Sequence, residues 1–207
     1  MKLFTILTLP SLYSLSHALS APIKGYGIWE PEWEVEALPG HTLKSRGTIE
    51  EVRSELLRIN PDWDSHYVVE RSLEQRDQSS SSSWSSEFSK RADFYEDGYL
   101  KCGVYTEADV GDVWTGINYL GGVQGRPGNG PGPGNCGRVS CGYDAAIWWC
   151  NDSPQAKQLE SYDSIADGAT AILQSCARDG GFSWDNKVSG QAFHYTNWNV
   201  IVRREEC

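Results

Sequence analysis

The six cysteines of this 207-residue chain, Cys102, Cys136, Cys141, Cys150, Cys176 and Cys207, all follow Lys90-Arg91. An even number confined to one stretch reads as a disulfide framework, provided the chain leaves the reducing interior of the cell. Three bridges are therefore expected, each worth about 2–4 kcal/mol. A domain this small buries a modest core and benefits from them. The connectivity is open among the possible pairings. Cys102 with Cys176 is favoured, because it would tie a first strand to the end of the second helix. The competing reading is a zinc site on Cys136, Cys141 and Cys150. Their spacing contains no C-x-x-C pair, so no metal or cofactor is expected.

The N-terminus supplies the oxidising context. Lys2, the short apolar run "LFTILTLPSLYSL" and the small residues Ser16 and Ala18 form a secretory signal over residues 1–18. Pro10 breaks the apolar run, which is too short to span a bilayer. A secreted, extracellular product with no membrane span is expected.

Residues 19–91 read as a pro-segment. Residues 72–91, with the run Ser79–Ser83, are too polar to bury a core and form a flexible linker. That linker ends in Lys90-Arg91, the dibasic site that a kexin-type protease draws into its acidic cleft. The mature domain is then 92–207. The other dibasic pair, Arg203-Arg204, falls within an expected strand. The earlier part of the pro-segment, about 22–71, looks ordered. Thr48 and Glu51 make a capping box, Ile49, Val52, Leu56 and Leu57 share a helical face, and Pro61 stops the helix. "WEVEAL" alternates as a strand does. These faces and the tryptophans Trp29, Trp33 and Trp63 are too few to fold alone. The pro-segment is therefore expected to dock on the mature domain.

Within 92–207 the pattern predicts a helix over 106–120, capped by Thr106 and ended by Gly121-Gly122. A Gly/Pro-rich loop, "GGVQGRPGNGPGPGN", follows; it is either mobile or filled by a partner. A strand over 146–151 places Trp148 and Trp149 on opposite faces, one in the core and the other a candidate for exposure. A second helix, capped by Ser164, runs to Cys176. Strands over 190–194 and 198–204 close the chain. The fold class is α+β, with two helices packed on one face of a small antiparallel sheet, an α/β sandwich with three disulfides.

The net charge of −10 and a pI near 4.8 exclude nucleic acid as an electrostatic partner, and the acidic excess persists after residue 91. The domain's one histidine, His194, would need an acid such as Glu160 or Glu107 for hydrolysis, and no motif links them. No G-x-S-x-G, phosphate loop or dinucleotide fingerprint occurs. Five tryptophans, Trp114, Trp148, Trp149, Trp184 and Trp198, remain. Trp184, in the polar stretch "DGGFSWDNK", is the candidate for an exposed, glycan-stacking side chain. "NDS" makes Asn151 a glycosylation candidate.

"CGRVSCGYDAAIWWCND", "SIADGATAILQSC" and "VSGQAFHYTNWNVIVR" before a last cysteine together resemble small secreted proteins of filamentous fungi. These are related in layout to killer-toxin-like and necrosis-inducing-factor effectors. The resemblance covers about Cys102 to Cys207. It implies an α/β sandwich, secretion and a role in attack on a host plant or a competing fungus, with no catalytic residues. The expected function is a non-enzymatic effector or antagonism protein acting through a host or competitor protein or a cell-wall glycan. The alternative is a small secreted hydrolase, ribonuclease-like or glycan-cleaving, centred on His194. A structural cell-wall component is a third reading.

Overall fold

The structure, a computed structural model, describes residues 19–65, 94, 98–178 and 186–207. The expected signal segment with Ala18, the expected linker with Lys90-Arg91, and Trp184 lie outside the described residues.

The first described part is a small α/β unit. Glu32–Leu38 (β2) and His41–Arg46 (β3) form an antiparallel hairpin. Alternation puts Trp33, Val35 and Ala37 inward and Glu32, Glu34 and Glu36 outward. Helix α1, Ile49–Ile59, opens on the expected capping box. Thr48 N–H donates to the Glu51 carboxylate at 2.7 Å, and Ile49, Val52 and Leu56 are buried. Before the hairpin, Gly27–Ile28 (β1) pairs in parallel with Asn135–Gly142 (β7).

The main sheet has six strands in the order β1-β7-β8-β12-β11-β4, where Tyr99–Cys102 is β4, Ala145–Asn151 is β8, Gly190–His194 is β11 and Trp198–Arg204 is β12. The closing strands take their expected bounds. All neighbours are antiparallel except β1 and β7. The β7–β8 hairpin turns through Tyr143 and Asp144, both at positive φ, as a tight two-residue loop with matching twist requires. Four short pieces complete the described strands: Ala108–Asp109 (β5), Gly128–Asn129 (β6), Lys157–Gln158 (β9) and Lys187–Val188 (β10), with β6 pairing β9.

Two helices follow the sequence reading with shifted ends. Helix α2 spans Val110–Gly122 rather than 106–120. Its start moves because Ala108–Asp109 is drawn into antiparallel pairing with Lys187–Val188 (β10). Its end moves because Gly121 and Gly122 stay helical. Helix α3 is Asp163–Cys176, with Tyr162 rather than Ser164 at the N-cap. Both pack on the sheet, but the expected two-helix sandwich is incomplete: α1 also packs against β7 and α2. The chain is thus a mixed α/β protein dominated by a multi-stranded sheet.

All six cysteines pair: Cys102–Cys176, Cys136–Cys150 and Cys141–Cys207. The first is the bond favoured from the sequence. The second joins residues directly opposite each other on β7 and β8. The cysteines of the zinc reading are therefore spent in disulfides.

One contiguous core holds side chains from both described parts. Trp33, Val35, Ile49, Val52, Leu56 and Trp63 share it with Val113, Ile117, Trp149, Ile165, Ile172 and Val200. Gly168 on α3 is closely packed against this core. A Cβ there would stand 2.7 Å from Val200 Cγ2 and 2.8 Å from Phe94 Cζ. Val200 lies on a central strand and its stiff, branched side chain cannot swing away. Gly168→Ala should therefore destabilise by about 1–2 kcal/mol, the overpacking cost outweighing the helix-propensity gain. A fall in denaturation midpoint at unchanged m-value would show it; an unchanged or raised midpoint would refute it.

Candidate binding surface

The strand pleat gives the sheet two faces. Trp198, Val200, Val202, Ile147 and Trp149 point to the helices. Ala146, Trp148, Cys150 and Ile201 point the other way, where they cluster with Cys136 and Cys141. Trp148 and Trp149 do lie on opposite faces, but both are buried, at 0% and 2% exposure. Trp148 is not exposed because an arm from the N-terminal part crosses this second face. Ala21, Ile23 and Tyr26 of the arm, with Tyr105, pack on the cluster.

A string of hydrogen bonds runs beside that cluster. Tyr26 Oη–H donates to Asp152 Oδ1 at 2.9 Å, and Asn199 Nδ2 donates to Asp152 Oδ2 at 2.8 Å. Gln191 Nε2 donates to Asn199 Oδ1 at 3.0 Å, and Tyr105 Oη–H donates to Gln191 Oε1 at 3.1 Å. The amides of Gln191 and Asn199 are buried, so each needs these partners.

Burial first, and then the bond to the Asp152 carboxylate, push the Tyr26 phenol up to about 12. An unfolded tyrosine ionises near pH ~10. The folded chain therefore holds this proton more tightly. Its contribution is intact below about pH 10 and is lost as pH rises through about 12. The tyrosinate titration of the wild-type chain minus that of Tyr26→Phe should isolate a step near that upper value. A difference step near ~10 would mean that Tyr26 is solvated and the arm is not seated.

At the far edge of the same face an aromatic patch is open. Tyr99 on β4 stacks on Phe193 of β11 with centroids 4.3 Å apart, and Lys101 Nζ lies 5.3 Å from the Phe193 centroid. Tyr99 is 55% exposed, and Tyr195, in the loop after β11, is 62% exposed.

His194 ends β11, half-buried among rings. It stacks on Trp198 at 4.8 Å and meets the edge of Phe94 at 5.4 Å. Trp198 Nε1–H donates to Thr196 Oγ1 at 2.9 Å, and that hydroxyl lies 2.8 Å from His194 Nδ1. The Thr196 backbone N–H also points to Nδ1, at 3.3 Å. Nδ1 is thus an acceptor, and the tautomer with hydrogen on Nε2 fits the contacts. The acids proposed for it are engaged elsewhere: Glu107 pairs with Arg178, and Glu160 with Arg126 at 2.7 Å. Elsewhere, burial first and then the neighbouring Asp109 raise the Asp112 carboxyl; Asp109 itself is paired with Lys187.

Asn151 does not suit a glycan in the folded chain. It is 0% exposed, and its Nδ2 donates to the carbonyls of Gly130 and Gln155, both at 2.8 Å. The amide fastens the Gly/Pro-rich loop to β8. Trp29 covers that loop from outside: a Cβ on Gly130 would lie 2.7 Å from the Trp29 ring. The loop is filled by the chain's own N-terminal part.

Tyr26, Asp152, Gln191 and Asn199 belong to no sequence motif for binding or catalysis. The available signal was parity: Gln191 and Asn199 are polar residues inside otherwise apolar strands. Among the described residues no group of acids, histidines and cysteines could hold a metal ion, and no helix is long and apolar enough to cross a membrane. Comparison with family models, curated proteins and solved structures finds no match for this chain in any of the three.

Proposed function

We propose that the chain is the secreted precursor of a non-enzymatic effector or antagonism protein, acting by binding a protein or cell-wall glycan of a host or competitor. The observation that carries this reading is the setting of His194. Its ring is held by Trp198 and Phe94, its Nδ1 is occupied by Thr196, and Glu107 and Glu160 are drawn into ion pairs with arginines. A general base needs a free ring nitrogen aimed at substrate beside a matched acid. The disulfides suit an extracellular setting. The open Tyr99–Phe193–Lys101 patch offers flat aromatic surface and a cation for recognition.

The test uses processed, purified protein on RNA, chitin and glucan, with His194→Ala beside it, and on immobilised glycans and extracts of plant and fungal material. Retention on a ligand that Tyr99→Ala weakens, with no turnover distinguishable from His194→Ala, is expected. Hydrolysis that His194→Ala abolishes would overturn this reading in favour of the hydrolase.

A further inference from the structure

We infer that residues 19–65 stay bound when the chain is cut after Arg91, so that the working protein is two non-covalently associated chains. This rests on the processing reading of Lys90-Arg91, and the experiment below separates the two.

The contacts joining the two parts belong to a permanent interior rather than a detachable cover. Trp33, 2% exposed, stacks on Tyr162 with centroids 4.4 Å apart and planes 11° from parallel. Tyr162 Oη–H returns a bond to the Glu32 carbonyl at 3.1 Å. Burial raises the Tyr162 phenol, so it stays a donor across the neutral range. On α1, the Glu50 carboxylate accepts from Ser140 Oγ at 2.6 Å and from the Cys141 backbone N–H at 2.9 Å. Withdrawing Glu50 would strip the buried Ser140 hydroxyl of this acceptor. Withdrawing β1 would open the edge of β7.

None of these contacts involves the stretch 66–93 in which the cut falls, so cleavage breaks none of them. All three disulfides lie within 102–207, so nothing covalent holds the parts together afterwards. A mask built to leave would rest on the surface. This segment instead supplies side chains to the larger of the two buried clusters, and its arm packs on the other.

The full chain should be folded with its disulfides formed and then cut with a kexin-type protease. Denaturing mass analysis reports the cut, and native mass analysis with gel filtration reports association. The expected result is two chains under denaturing conditions and one particle containing both, in equal amounts, under native conditions. A folded 92–207 chain eluting free of the shorter one overturns the inference. If the denaturing analysis shows an uncut chain, the processing reading fails instead. Retention is then tested on a chain carrying a specific protease site within the serine-rich linker, with the same two outcomes.

Trp33→Ala should weaken retention of the shorter chain by about 100-fold or more, as loss of a buried tryptophan does. Lys44→Gln, at an exposed ion pair with Glu34, should leave it unchanged. If Trp33→Ala does not fold, Val35→Ala gives the milder form of the same test. Equal retention in the wild type and the folded core variant overturns the inference.

Discussion

Residues 92–207 expressed without residues 19–91 should give less than about a tenth of the native, fully oxidised monomer that the whole chain gives. Each large core side chain lost costs about 2–5 kcal/mol, and a native domain has only about 5–15 kcal/mol in total. The deletion removes Trp33, Val35, Ile49, Val52, Leu56 and Trp63 from the core at once. It also strips Ala21, Ile23 and Tyr26 from the second sheet face, leaving Trp148 and Ile201 under water. Disulfides form while the chain is still finding its packing, so a chain missing part of its core should mispair. Peptide mapping should show bonds other than Cys102–Cys176, Cys136–Cys150 and Cys141–Cys207. Supplying residues 19–65 as a separate chain during refolding should restore the native map. Equal yield and a native map from the truncated chain alone would sink this prediction.

Trp148→Ala should destabilise the whole chain by about 3–5 kcal/mol, through the area lost and the cavity left behind. Trp148 is fully buried, and its ring is the largest in the second cluster. Its Nε1–H also donates to Glu205 Oε2 at 2.9 Å, helping to hold the C-terminal end where Arg138 and Arg203 meet the same carboxylate. Trp148→Phe keeps most of the apolar area but leaves Glu205 without that donor, so about 1–3 kcal/mol is expected. Trp114, half-buried at the edge of the core, should tolerate alanine better than Trp148 does. Urea denaturation of the three variants under oxidising conditions would rank them. A loss for Trp148→Ala no larger than for Trp114→Ala would show that the second face is not a packed layer.

Both predictions concern a face that the residues of 92–207 do not announce. Strand alternation alone puts Trp148 and Trp149 on opposite sides. Only the arm residues show that both sides are covered. His194 and Asn151 show the same limit. Each is a chemically suggestive residue in sequence. Their neighbours, Thr196 and Trp198 for the one and the Gly130 and Gln155 carbonyls for the other, are what the folded chain sets against them.

What the amino-acid sequence determined by itself is local: the alternation of β2, the bounds of β11 and β12, the capping box of α1, and the apolar stripes of the helices. These follow from hydrogen bonds and side-chain periods that close within a few residues. The restriction of the cysteines to 102–207 likewise confined the bridges to that part. Tertiary structure decided the rest. It placed β1 in parallel beside β7, pairing Gly27 with Asn135, and set Trp33 on Tyr162, Glu50 on Ser140 and Trp29 over Gly130. It also drew Ala108–Asp109 out of the expected helix into a strand. These partners stand some eighty to one hundred and thirty residues apart in the chain. Periodicity marks a face as apolar but does not say which other face will cover it. That choice is made by shape and by the pairing of buried polar groups, which exist only once the chain has closed on itself.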